Sequence, residues 1–173
     1  YTFTATAGQI IFVEELGVSA AFQGWLQWRL TSPSGVTIFS SYFTGQPEGR
    51  KVLPETGTYT VRVWVGANNP GYVGTYSFRL RAVPADQTFP IAIGATVSDG
   101  VPATGAGHLE VAGASDLYTF QAVADQSAFF EEVSVTNSFR GWLQWELRSP
   151  STNLVFMSYF DNGHVGRITF TET

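Results

Sequence analysis

Acidic side chains recur along this chain at positions where carboxylates hold metal ions in other proteins. Glu14 and Glu131 each open an adjacent Glu-Glu pair, and Asp116 and Asp161 stand at a strand start and in a loop. Carboxylate oxygens are the ligands that calcium prefers. Adjacent residues on a strand point to opposite faces, so each pair offers at most one ligand per site. These four acids are therefore the calcium candidates, but the pattern favours charged strand ends that discourage edge-to-edge pairing.

The two histidines of the chain, His108 and His164, are the residues to test for catalysis. A Ser-His-Asp triad needs a histidine that its neighbours orient, and a zinc site needs three or four converging ligands. His108 lies in a glycine-rich stretch, and neither histidine has a counterpart in the repeated sequence described below. We therefore expect two surface turn residues, no zinc site, no cofactor and no enzyme activity.

Tryptophans on otherwise polar strand faces are the candidates for binding. Trp25 and Trp142 stand two positions before Gln27 and Gln144, and Trp64 shares a strand face with Thr60 and Arg62. Sugar rings are often held by stacking on an aromatic ring beside hydrogen-bond donors. Tryptophan also anchors protein interfaces because it buries a large area. The sequence favours packing against a neighbouring domain or subunit, with glycan binding as the alternative.

The segment that carries Trp25 is written twice. FQGWLQWRLTSPSG at residues 22–35 returns as FRGWLQWELRSPST at residues 139–152, 117 positions later. Residues 1–56 align without a gap on residues 118–173, and 28 of the 56 positions are identical. A fixed long period is typical of tandem arrays. It predicts repeats of about 117 residues, with the C-terminal portion of one repeat in residues 1–84 and the N-terminal portion of the next in residues 85–173.

Apolar and polar residues alternate through most of the chain, which predicts β-strands. Residues 59–65 alternate Tyr or Val with polar residues or Trp, and residues 76–81 repeat the pattern. The glycine, asparagine and proline residues of GANNPGYVG between them predict a hairpin with a long loop. SPSG at residues 32–35 predicts a tight turn. No helical periodicity exceeds one turn, so we predict an all-β fold of antiparallel, jelly-roll-like sandwiches.

The two copies differ in a way that assigns the faces of the Trp25–Leu30 strand. Arg29 becomes Glu146 in the second copy, and such a reversal of charge is tolerated where water screens it. The face that alternates with Arg29 should therefore form the core. The expected core residues are Leu26, Trp28, Leu30, Tyr59, Val61, Val63, Tyr76 and Phe78. Their second-copy equivalents Leu143, Trp145 and Leu147 are expected to be equally buried.

Composition excludes several classes of protein. The net charge of −5 with Lys51 as the only lysine argues against nucleic acid as a partner, since nucleic-acid binding needs a basic surface. No apolar run approaches the roughly 20 residues that span a bilayer, so no membrane span is expected. The absence of cysteine excludes disulfides and thiol chemistry and is compatible with export from a bacterium.

Three segments together carry a resemblance to a known family. They are DLYTFQAVADQ at 116–126, WLQWELRSPSTNLVF at 142–156, and GTYTVRVWVGANNPGYVGTYSFRLRAV at 57–83. Their succession resembles bacterial pre-peptidase C-terminal domains, compact jelly-roll sandwiches that are appended to secreted proteases and repeated in very large exported proteins. That family often carries an acidic Asp-x-Asp-Leu strand where this chain has GWLQWRL and GWLQWEL, so the resemblance implies no calcium role here. The closer likeness is to tryptophan-containing versions in giant bacterial surface proteins.

Repetition, composition and resemblance together favour a non-catalytic structural or assembly repeat of a large extracellular or cell-surface bacterial protein, in an array or fibre. Its expected partners are neighbouring repeats or copies of the same protein. The alternatives are a module that binds carbohydrate or another surface ligand, and an accessory domain of a secreted hydrolase. Because residues 118–173 have no counterparts of residues 59–65 and 75–81, we expect the second copy to be completed by strands from outside this sequence.

Overall fold

The computed structural model describes residues 1–66, 71–138, 140–161 and 163–173, and the fold is almost entirely β. A short 3-10 helix, Ala20–Phe22, is the helical element in that part of the chain. The predicted all-β class is therefore confirmed. The strands, in chain order, are β1 (Thr2–Ala5), β2 (Ile10–Val18), β3 (Leu26–Thr31), β4 (Thr37–Tyr42), β5 (Gly49–Val52), β6 (Gly57–Val65), β7 (Tyr76–Val83), β8 (Gln87–Pro90), β9 (Asp116–Thr119), β10 (Ser127–Glu131), β11 (Gln144–Arg148), β12 (Leu154–Tyr159) and β13 (His164–Thr169).

The chain forms two compact units. Unit 1 comprises Tyr1–Thr88 and Ser98–Leu117, and unit 2 comprises Phe89–Val97 and Tyr118–Thr173. These units follow spatial compactness, whereas the predicted boundary after residue 84 divides the two sequence copies. The boundary between copies accordingly stays a prediction about the repeat.

Unit 1 is a sandwich of two antiparallel sheets. One sheet has the strand order β1-β6-β3-β4, and the other has the order β5-β2-β7. Trp28 of β3 has no exposed surface, and its ring centre lies 5.0 Å from that of Phe39, 4.6 Å from that of Phe43 and 5.8 Å from that of Phe78 in the other sheet. The apolar faces of the two sheets thus meet around one tryptophan.

The predicted faces of β3, β6 and β7 are correct. Leu26, Trp28 and Leu30 are buried on β3, and Tyr59 and Val61 are buried on β6. The remaining predicted core residues are partly buried and pack against this cluster, namely Val63, Tyr76 and Phe78. Period-2 alternation is a local property of the chain, which explains why the sequence alone identified the inward face.

The predicted hairpin between residues 59–65 and 76–81 is wrong. Strand β6 pairs with β1 and β3, whereas β7 pairs with β2 in the opposite sheet. The connection therefore crosses from one sheet to the other; its residues 67–70 lie outside the described part of the chain. Two consecutive strands with apolar inner faces satisfy the same sequence pattern whether they pair edge to edge or face each other across a core.

Unit 2 repeats two strand pairs of unit 1 in the same register. The β10–β13 pair matches β2–β5, and the β11–β12 pair matches β3–β4, residue for residue at the 117-position offset. The irregularity between Leu30 and Thr31 returns between Leu147 and Arg148. Strands β8 and β9 form a further two-stranded sheet. Half of the aligned residues differ, so the shared register reflects the conserved pattern of inward residues.

The second-copy core residues are less buried than predicted. Leu143, Trp145 and Leu147 are partly exposed, whereas the equivalent residues of β3 are at most 2% exposed. Strand β3 lies between β4 and β6, but β11 pairs only with β12 among the described residues. The expectation of equal burial failed because it considered the alternation of the strand and not the strands that cover it.

Candidate functional site

The outer face of the β1-β6-β3-β4 sheet brings together two of the predicted binding residues. Gln27 of β3 lies directly opposite Trp64 of β6, and Arg29 lies opposite Arg62. The guanidinium carbons of Arg29 and Arg62 lie 5.5 and 4.9 Å from the Trp64 ring centre. An arginine over an indole face is attracted by the ring quadrupole. Gln27 also donates a hydrogen bond to the Tyr42 hydroxyl, at 3.3 Å.

This cluster is a positively charged aromatic surface in which the Gln27 amide is already hydrogen-bonded to Tyr42. Two arginines that face each other across a strand pair repel, and the ring of Trp64 between them offsets part of that repulsion. The two guanidinium groups favour an anionic partner, and the indole ring favours one with a planar group. The sequence showed the residue types here, but the Gln27–Trp64 and Arg29–Arg62 pairings depend on the register between β3 and β6.

The remaining predicted tryptophans are Trp25 in unit 1 and Trp142 in unit 2. Trp25 is 47% exposed just before β3, and its ring stacks on Tyr72 with centres 6.2 Å apart and planes 11° apart. Trp142 is 81% exposed, and no ring in the described part of the chain stacks on it. Gln144 lies opposite Tyr159 in the β11–β12 pair. Unit 2 therefore presents an indole that is more open than its counterpart in unit 1.

The predicted calcium candidates do not converge. Glu14 accepts hydrogen bonds from Arg79 at 2.7 Å and from Arg81 at 2.9 Å, and the Arg79 contact is the main cause that holds the pKa of Glu14 below its usual value. Asp116 begins β9, and Glu131 ends β10. Asp161 lies in the loop after β12, next to residue 162, which the structure does not describe. Among the described residues, no group of three or more acids, histidines or cysteines is placed to hold a metal.

The two histidines make simple surface contacts. His108 Nδ1 lies 3.7 Å from Asp99 Oδ1, and both side chains are largely exposed. His164 lies on β13 opposite Glu131, with its ring centre 5.5 Å from that of Phe129. A nucleophile and its base must lie within about 3 Å of each other, and within the described part of the chain neither histidine hydrogen-bonds a serine or threonine hydroxyl.

A serine turn held by a glutamate recurs in both units, and the sequence analysis missed it. Glu55 accepts hydrogen bonds from the Ser32 and Ser34 hydroxyls at 2.8 and 2.6 Å and from the Ser34 backbone at 3.0 Å. Glu172 accepts from the Ser151 backbone at 3.1 Å and from its hydroxyl at 2.8 Å. These bonds, with Ser34 and Ser151 first, hold the pKa of both carboxyls below its usual value. The signal available in the sequence was the joint repetition of Ser-Pro-Ser and Glu-Thr.

The aromatic contacts of Trp145 show which side of unit 2 is open. Its ring centre lies 5.4 Å from that of Phe156 and 5.0 Å from that of Phe160, which match the Phe39 and Phe43 contacts of Trp28. The third contact of Trp28, with Phe78 of β7 at 5.8 Å, is replaced in unit 2 by a looser contact between Trp145 and Phe130 of β10, at 6.4 Å. The described part of unit 2 has no strands in the positions of β6 and β7, and Trp145 stays partly exposed.

Comparison of the chain with models of protein families, with curated proteins and with solved structures gave no match. Among the described residues there is also no helix with the length and apolar character needed to cross a bilayer. Functional inference therefore depends on the contacts within the two units.

Proposed function

We propose that this chain is a non-catalytic structural and assembly module of a large extracellular bacterial protein, in which successive repeats complete one another in a surface array or fibre. The observation that carries the proposal is the contrast between Trp28 and Trp145. They occupy the same position of the same strand pair, yet Trp28 is fully buried and Trp145 is partly exposed. The half-covered face of unit 2 is a surface that a further pair of strands would cover.

The open edge of β11 supports assembly by strand addition. In unit 1 the equivalent edge of β3 hydrogen-bonds β6 from Leu26–Val65 to Thr31–Thr60. An unpaired strand edge next to an exposed apolar face recruits a further strand, and main-chain hydrogen bonds then give affinity while side-chain pockets give specificity. The partner that fits is a strand with the β6 pattern, in which Tyr59 and Val61 point inward.

The non-catalytic character is supported by the surroundings of the titratable side chains. Glu14, Glu55 and Glu172 are bound by arginines or serine turns, and each has a lowered pKa. General acid–base catalysis favours groups whose pKa lies near the working pH. These carboxylates therefore suit a structural role. The extracellular bacterial setting is supported by the resemblance to pre-peptidase C-terminal domains, and the cysteine-free composition is compatible with it.

The test is to extend the chain. Because Thr173 aligns with Thr56, a second copy of residues 57–117 is fused after Thr173. Hydrogen exchange of the β11 amides is then compared with that of the unextended chain in dilute solution. We expect strong additional protection of β11 and a shielded Trp145 in the extended chain. The control is an extension with lysine at the added equivalents of Tyr59 and Val61, which should protect little. Full protection of β11 in the unextended monomer would refute the proposal.

Carbohydrate binding is a second candidate function, favoured by Trp142, which is 81% exposed and two positions from Gln144. An open indole beside an amide side chain suits stacking on a sugar ring. A glycan array probed with the chain and with Trp142→Ala tests it. Binding that disappears in the variant would support this function, and no binding above background would exclude it for the glycans on the array.

A further inference from the structure

A contact within unit 1 fastens a later segment of the chain to the sandwich. Phe12 of β2 and Arg50 of β5 lie directly opposite each other. Arg50 donates from Nη1 to the backbone oxygen of Gly113 at 2.8 Å, and from Nη2 to both carboxylate oxygens of Asp86 at 2.7 and 2.8 Å. Hydrogen bonds between charged groups are stronger than neutral ones. The Phe12–Arg50 pair therefore binds the chain at two positions outside the sandwich sheets, residues 86 and 113.

The side chain of Phe12 makes this contact specific for glycine. A Cβ atom on Gly113 would lie 2.7 Å from Phe12 Cδ2, which is closer than packed carbon atoms approach. Gly113 also has a φ of +85°, a conformation that residues with a side chain rarely adopt. The backbone at residue 113 thus lies close against the Phe12 side chain and presents its carbonyl oxygen to Arg50.

Unit 2 displays the same cross-strand pair with its face open. Phe129 of β10 lies opposite Arg167 of β13, in the register of Phe12 and Arg50. Phe129 is 59% exposed, and Arg167 is also exposed. Arg167 Nη2 donates a hydrogen bond to the Ser127 hydroxyl, at 3.2 Å. An exposed phenylalanine beside an exposed guanidinium reproduces the surface that residues 86 and 113 cover in unit 1.

We infer that Phe129 and Arg167 form a docking surface for the segment of a following repeat that corresponds to residues 86 and 98–113. This inference rests on the proposed function, because it requires a further repeat. The occupant would supply an aspartate for the guanidinium and a glycine whose backbone lies on the phenylalanine ring. We call this contact the repeat latch. By holding the sequence that leads into one repeat against the sandwich before it, the latch would restrict bending between repeats.

The extended chain described above tests the latch, because the added residues 57–117 contain the equivalents of Asp86 and Gly113. Hydrogen exchange is measured for the added copy of residues 98–113 and for the original one. Arg167→Ala should lower protection of the added copy about tenfold or more and leave the original copy unchanged. Arg50→Ala should do the reverse, which makes the two variants matched controls for each other.

Arg167→Lys is the second variant, since it keeps the charge but cannot offer two parallel donors to a carboxylate. We expect it to lose most of the protection that Arg167→Ala loses. Both changes are at an exposed side chain, so we expect unit 2 to stay folded. Loss of folding would be recognised by lowered protection across β10 and β13.

The outcomes separate the latch from the proposed function. Protection of the added strands together with an unprotected copy of residues 98–113 would overturn the latch and leave the proposed function standing. Unprotected added strands would overturn the proposed function and the latch with it. Dimerisation of the unextended chain that Arg167→Ala abolishes would also overturn the inference, because the occupant would then be a second copy of the chain.

Discussion

Truncation of the same tryptophan in the two units should give different losses of stability. Trp28 has no exposed surface, and a buried tryptophan removes about 150–250 Å² from water. At roughly 25 cal/mol per Å² this burial is worth about 4–6 kcal/mol. The Trp28 indole Nε1 is buried and has no hydrogen-bond partner among the described residues, and relief of that unpaired donor returns about 1 kcal/mol. We therefore expect Trp28→Ala to lower the free energy of unfolding of unit 1 by about 3–5 kcal/mol.

Trp145→Ala is the matched variant in unit 2. Its ring contacts Phe156, Phe160 and, more loosely, Phe130, but it stays partly exposed, so we expect about half the loss, roughly 2 kcal/mol. The two units need not unfold together, and a single transition would then not describe both. Native-state hydrogen exchange resolved by peptide should therefore follow β3 and β11 separately along a urea series.

Equal losses for the two variants would refute this reasoning. It would mean that Trp145 is as well covered in solution as Trp28, and the open face on which the proposed function depends would not exist. Trp28→Phe distinguishes lost packing from the unpaired indole donor. It keeps an aromatic ring and removes the donor, so its loss should be well below that of Trp28→Ala.

Three further outcomes are expected. The pKa of both Glu55 and Glu172 is held below its usual 4.5, so their stabilisation is complete above that pH and is lost as the pH falls through the lower folded-state values. The free energy of unfolding, measured as the pH is lowered, should show this loss. Glu55→Gln should reduce the pH dependence of that free energy for unit 1 but not for unit 2. Glu14→Gln should cost about 1 kcal/mol in low salt and less in high salt, because Arg79 and Arg81 are partly exposed; urea denaturation at two salt concentrations measures it. Gly113→Ala should lower protection of residues 98–113 by the equivalent of roughly 2–4 kcal/mol, since it combines left-handed strain with a clash, and unchanged exchange would show that this segment is not held at Gly113.

Much of the candidate site could be identified by residue type from the sequence but not by contact. The alternation around Trp64 placed it on the outer face of its strand, where the structure shows it partly buried and opposite Gln27. That Arg29 and Arg62 both lie over its ring follows from the register between β3 and β6, which local sequence does not specify. Nothing near Glu55 in sequence indicates that its carboxylate reaches the serines of another turn.

The sequence by itself determined the strand class, the inward faces of β3, β6 and β7 and the match between the two copies. These properties follow from alternation and identity, which are local or directly countable. Tertiary structure decided that β6 and β7 lie in opposite sheets, that Trp28 is covered while Trp145 is not, and that Arg50 holds Gly113. Each of these depends on which distant segments meet, and strands with the same apolar period are interchangeable until a particular set of long-range contacts forms.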